Sequence, residues 1–151
     1  MPLYYEDFQA GQQWELGQYQ LSEESIIKFA RKFDPQYFHI DPVKAKDSIY
    51  GGLVASNWQT MAIYMKLIVE GLISRSVSLG SPGIDEIRFF EPVRPGDTLQ
   101  VRYMVSECRT SNSRPTVGIV HFKGEVYNQA QEPVASVAGT GFFGRKPPED
   151  I

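Results

Sequence analysis

Cysteine and histidine are nearly absent. The 151 residues contain one cysteine, Cys108, and two histidines, His39 and His121, which excludes an intrachain disulfide framework and leaves no zinc-ligand spacing to write down. A cytoplasmic protein without a metal is the expectation. An excess of positive charge is missing too: 15 Lys and Arg stand against 18 Asp and Glu, for a net charge of −3. Without a broad basic field, a nucleic-acid partner is disfavoured. There is no apolar run of membrane-spanning length. The closest, "MAIYMKLIVEGLI", is interrupted by Lys66 and Glu70 and falls short of the ~20 residues a span requires. The N-terminus "MPLYYEDFQAG" is aromatic and acidic rather than basic then apolar, unlike a secretory signal or presequence. What is present is 42% apolar and 22% charged residues, the balance of one ordinary globular domain over 1–151. Residues from about 146 to 151 read as a disordered tail.

Periodicity divides the chain in two. "QQWELGQYQLS" alternates through Trp14, Leu16, Tyr19 and Leu21 with a slip at Gly17, predicting a strand or strand pair with a bend. "SEESIIKFARKF" then switches to a helical stripe, with Ser22 as cap and two glutamates in the first turn. Asp34-Pro35 ends that helix. A second short helix is expected from Pro42 to about Asp47, capped by Asp41, so Asp34 and His39 fall on an inter-helix loop. From about Ser56 to Ile73 the chain is apolar on more than one face, the mark of a mostly buried helix. The second half reads as four strands, around 83–93, 97–111, 116–129 and 132–145, forming a meander between the turn signals "RPGD", "TSNSRP" and "NQAQEP". One buried helix and about five strands give an α+β arrangement in which a curved antiparallel sheet wraps a long helix. Its uncovered sheet edge or face calls for a partner, so a homodimer or higher homo-oligomer is expected.

Two features carry chemistry. Asp34 and His39 lie five residues apart across a proline. An imidazole moves protons near neutral pH, and a carboxylate can orient it or activate water; the plain alternative is a helix stop beside a polar gap-filler. The second is "YGGLVASNWQT", where Gly51 and Gly52 turn into the long helix. Free N–H groups at a helix start stabilise a developing oxyanion, with Ser56, Asn57 and Trp58 as the candidate donors, although a mere N-cap and turn would look the same.

The succession "FARKFDPQYFHIDPVKAKDSIYGGLVASNWQT", "GIDEIRFFEPVRPGDTLQV" and "SRPTVGIVHFKGEVYNQ" resembles the MaoC-like dehydratases, including (R)-specific enoyl-CoA hydratases, in colinear order from about residue 5 to about 145. The resemblance implies a hot-dog fold, usually dimeric, and acyl-CoA thioester substrates with no metal or redox cofactor beyond the coenzyme A of the substrate. It implies that Asp34 and His39 are the catalytic pair, adding water across a 2-enoyl thioester while a backbone N–H at the long helix polarises the carbonyl. The family commonly carries His-Gly or Ser-Gly at that helix start; here it is Ser56-Asn57. The Asn that often precedes the motif proline is absent, with Gln36 and Tyr37 in that stretch.

Two other readings stay open: a hot-dog thioesterase and a non-catalytic acyl-CoA-binding subunit. A Ser56-His39-Asp34 hydrolytic triad lacks a G-x-S-x-G elbow. Cys108 and His121 read as structural strand residues. For coenzyme A phosphates the candidates are Arg109, Arg114, Arg145 and Lys146. Phe38, Tyr50, Trp58 and Phe89 are expected to fill the core, with an apolar substrate channel as the alternative place for them.

Overall fold

The computed structural model describes residues 1–150. Its sheet contains β1 (Gln13–Gln20), β2 (Ser78–Phe89), β3 (Thr98–Thr110), β4 (Val117–Tyr127) and β5 (Pro133–Gly144). All neighbours pair antiparallel, in the order β1-β3-β4-β5-β2. The helices are α1 (Glu23–Phe33), α2 (Tyr37–Ile40), α3 (Pro42–Ala45) and the long α4 (Asn57–Gly71). This is the expected α+β hot-dog arrangement, one long helix against a five-stranded antiparallel sheet.

Alternation places the core. Leu99, Val101, Tyr103 and Val105 are buried on one face of β3, against Ile63, Tyr64, Leu67 and Ile68 of α4. The slip at Gly17 is a bulge in a single strand: the β1–β3 register shifts between Leu16 and Gln18, and Gly17 has φ +58. A side chain there would be strained and would meet Leu67 Cδ2 at 3.0 Å. Across the sheet, Gly124 leaves room for the Tyr64 ring, into which a Cβ would project.

The four later strands do not form a simple meander. β3, β4 and β5 do, but β2 crosses to the far side of β5 and becomes an edge. Pro82 and the bulges around Gly80 and Gly83 suit an edge strand, where a missing N–H disrupts no second ladder. Almost every residue of β2 is exposed.

α4 is also less buried than its composition predicts. It packs against β1 and β3, so its opposite flank is left open, with Trp58 63% and Met65 51% exposed. The second short helix ends at Ala45 rather than near Asp47, with Asp41 Oδ1 accepting from the Val43 and Lys44 N–H groups. The expected tail is held at its start: the Lys146 N–H donates to Glu6 Oε1 at 2.9 Å, and Pro148–Asp150 form a 3-10 turn. Ile151 lies outside the described residues.

Candidate active site

α1 delivers Asp34 as its C-terminal cap, where the Asp34 N–H still donates to the Ala30 carbonyl. Pro35 then forces the chain to leave the helix. His39 follows on the one-turn helix α2 rather than on an open loop, because residues 37–40 close their own turn through bonds such as His39 N–H to the Gln36 carbonyl. That turn directs the imidazole inward. His39 is 6% exposed, and its Nε2 stands 3.3 Å from Asp34 Oδ2.

The remaining contacts fix both groups. His39 Nδ1 lies 2.6 Å from the Val54 carbonyl, which can only accept, so Nδ1 carries a proton. Nε2 is then the ring nitrogen that faces the carboxylate, close enough to Asp34 Oδ2 for a proton to pass between them. The Ser56 hydroxyl donates to Asp34 Oδ2 at 2.7 Å, and Gln36 Nε2 donates to Oδ1 at 2.8 Å. Burial raises the Asp34 carboxyl, yet the bonds from Ser56 and Gln36 and the charge of His39 outweigh it and hold the group below its ordinary value.

Ser56 does two things at once. Its Oγ also accepts from the Trp58 N–H at 3.2 Å, capping α4. The Gln59 and Thr60 N–H groups donate to the Ser56 carbonyl. Trp58, a candidate oxyanion donor in the sequence, is thus already occupied, and fully buried Ser56 does not line the cleft. Asn57 does, and among the described residues its N–H has no protein acceptor. Since Ser56 bonds Asp34 rather than His39, the arrangement is not a serine-nucleophile triad.

Asp34, His39 and Asn57 open into one cleft of about 560 Å³. Phe38, Tyr50, Trp58 and Phe89, expected in the core, all line it; the uncovered flank of α4 and the end of β2 put them there. Gly52 does not line it but abuts Arg94, whose Nη2 donates to the Tyr50 carbonyl. The four candidate phosphate-binding residues lie elsewhere in the chain. Arg109 and Arg114 border a separate cleft with Phe142, while Arg145 pairs with Glu6 at 3.1 Å and Lys146 with Asp7 at 3.5 Å. His121 Nδ1 sits 3.0 Å from Thr140 Oγ1 on the sheet, and burial raises the Cys108 thiol. No cluster of potential metal ligands occurs among the described residues. Gln36 was missed as a site residue; its place two residues after Asp34, across a proline, was the available signal.

Residues 7–124 match the MaoC like domain family. The chain belongs to the MaoC-like dehydratase family. The YdeM protein of Bacillus subtilis (strain 168) is 33% identical over 130 residues, covering 85% of this chain and 90% of YdeM. Protein MaoC of Klebsiella aerogenes is 33% identical over 100 residues, 66% of this chain but only 29% of that longer protein. The crystal structure of the MaoC-like dehydratase from Rhodospirillum rubrum superposes with a TM-score of 0.86 at 34% identity, covering 96% of this chain and 99% of that one. The hydratase PhaJ1 of Pseudomonas aeruginosa, at 22% identity and TM-score 0.77 over 97% of this chain and 88% of its own, shares the fold. No helix of this MaoC-like chain is long and apolar enough to cross a membrane among the described residues.

Proposed function

We propose that the protein adds water reversibly to a 2-enoyl thioester of coenzyme A or an acyl carrier protein. The observation carrying this reading is the convergence in one cleft of the adjacent Asp34 and His39 side chains and the Asn57 N–H, which has no acceptor among the described residues. Asp34 accepts a proton from water, whose oxygen bonds to the β-carbon. The carbon–carbon double bond shifts its electrons toward the carbonyl, and the enolate oxygen is held by the Asn57 N–H. His39 Nε2–H then delivers a proton to the α-carbon, and transfer across the 3.3 Å contact restores the pair. Hydration requires one proton removed and one supplied, which this pair provides; hydrolysis by a carboxylate-activated water uses no such delivery to carbon. A second copy pairs along the exposed edge of β2, which ends in Phe89 beside the cleft, and roofs the site.

The test is loss of enoyl absorbance on a panel of 2-enoyl-CoAs, with wild type beside Asp34→Asn and His39→Ala. Turnover reduced by ~10²-fold or more in both folded variants supports the assignment. Free thiol release without hydration would move the protein to the thioesterases. Silence of the wild type across the panel removes the hydratase reading.

A further inference from the structure

Between α3 and α4 the chain runs through residues 46–56 and forms part of the rim of the cleft, with Tyr50 on its lining. The first half of this segment bonds to itself. Ser48 Oγ donates to the Ala45 carbonyl and accepts from the Tyr50 N–H, and Gly51, at φ +68, donates its N–H to the Ser48 carbonyl. The far end is fixed to the body of the protein, where the Val54 and Ala55 N–H groups donate to the Phe38 and Val93 carbonyls. Between these parts the turn stands out into solvent, with Ile49 94% exposed. Among the described residues, one hydrogen bond ties residues 46–53 to a distant part of the chain: Arg94 Nη2 donates to the Tyr50 carbonyl at 2.7 Å.

Arg94 stands on a firm base. Its own N–H donates to Asp97 Oδ2 at 2.9 Å, while Asp97 Oδ1 accepts from Gln129 Nε2 at 2.9 Å. The Gly96 N–H donates to the Leu21 carbonyl and the Leu21 N–H to the Asp97 carbonyl, so the turn before β3 is tied to the end of β1 and to the β4–β5 connection. The guanidinium has no carboxylate within ion-pair distance among the described residues. It lies instead against the turn, where a Cβ at Gly52 would meet Nη1 at 3.6 Å. The residue whose carbonyl it holds packs its ring on Phe38, with centroids 5.3 Å apart, and Phe38 in turn meets the His39 imidazole edge-on at 4.6 Å.

We propose that Arg94 is a positioning residue for the cleft, pinning the turn at 48–52 so that the Tyr50 ring stays against Phe38 as a wall that seats the substrate. The inference rests on the hydratase reading above and deepens it by naming what shapes the cleft rim. A segment tethered at its ends and bonded mainly to itself opens locally at low cost, and a charge-assisted bond near its apex removes that freedom. The His39 imidazole is held separately, by the carbonyl of Val54 on the anchored end. Loss of Arg94 therefore acts on seating rather than on proton transfer. The contact uses one N–H, so a lysine can take it over where a neutral side chain cannot.

Amide hydrogen exchange of the free protein tests the pinning without turnover. Arg94→Met is expected to speed exchange at Ser48, Tyr50 and Gly51 by about tenfold, the effect of losing one charge-assisted bond, with α4 and β3 unmoved and Arg94→Lys close to wild type. Kinetics on 2-enoyl-CoAs then separate KM from kcat: Arg94→Met should raise KM by about fivefold or more while kcat stays within about twofold. Tyr50→Ala should also raise KM, and the double variant should add little to either single change, because both remove the same wall. A raised KM with exchange at 48–51 unmoved, or with the two single effects multiplying in the double variant, would mean that Arg94 meets the substrate directly and would overturn the proposal. In a protein that turns over, an unchanged KM overturns it equally. Faster exchange in a protein silent toward every enoyl thioester would keep the pinning and remove the hydratase reading.

Discussion

Ser56→Ala tests how the site and the fold are joined, because one hydroxyl both caps α4 and holds the Asp34 carboxylate. Oγ accepts from the Trp58 N–H at 3.2 Å and donates to Asp34 Oδ2 at 2.7 Å, with the residue fully buried. Loss of a cap costs about 1 kcal/mol, and loss of a hydrogen bond to a charged group about 1.5–3 kcal/mol. At neutral pH the variant should therefore be less stable by about 2–4 kcal/mol, allowing that the two terms share one atom. The sign of its pH dependence follows from Asp34, whose folded-state pKa is lowered. Stabilisation from a lowered carboxyl is full above the unfolded value of about 3.9 and is lost as pH falls through the folded value. The difference between wild type and variant should accordingly narrow below about pH 4 toward the cap contribution alone. Urea unfolding at neutral pH and at steps into that acid window measures both quantities. A gap that stays constant across the window, or a neutral-pH loss under about 0.5 kcal/mol, would refute the dual role of Ser56.

Asn57→Pro removes the proposed oxyanion donor while leaving α4 intact, since proline is tolerated at the first helical position and Ser56, at φ −61 and ψ 138, already has the extended backbone that must precede it. Turnover should fall by ~10²- to 10³-fold with unchanged melting, whereas Asn57→Ala keeps its N–H and its rate; equal rates for the two variants would remove the N–H from the mechanism. Gln36→Leu deletes the bond to Asp34 Oδ1, so the acid limb of the kcat/KM profile should move to higher pH; an unmoved limb would leave Gln36 without a positioning role. Gly124→Ala directs a methyl into the Tyr64 ring and should cost about 1–3 kcal/mol by overpacking, read in the same urea titration. If copies pair along the exposed β2 edge as proposed, Ile84→Glu should shift sedimentation toward a single chain; an unchanged sedimentation coefficient would remove the β2 edge as an interface.

Local chemistry made much of this molecule legible from its sequence. Ser22 and Ser56 mark helix starts, Asp34-Pro35 marks a stop, and Gly17 marks the bulge, each through a backbone preference acting within a few residues. The alternation of β3 likewise states its buried face without reference to any neighbour. Asp34, His39 and the start of α4 could be selected because proton transfer and oxyanion binding need particular groups.

Which groups meet was decided by the tertiary structure. The destination of β2 beyond β5 depends on sheet pairing, and no residue of β2 names its partner. The burial of α4 was overread, since hydrophobicity says that a face wants cover but not whether its own chain supplies it. The Trp58 N–H, a candidate oxyanion donor, is taken by the neighbouring Ser56 hydroxyl, while the Gln36 amide, at the start of a one-turn helix, meets the Asp34 carboxylate. The four distal cations were chosen for charge alone. Charge is written in the sequence, but whether it is free or already paired with Glu6 and Asp7 depends on which distant segments the fold brings within hydrogen-bond reach.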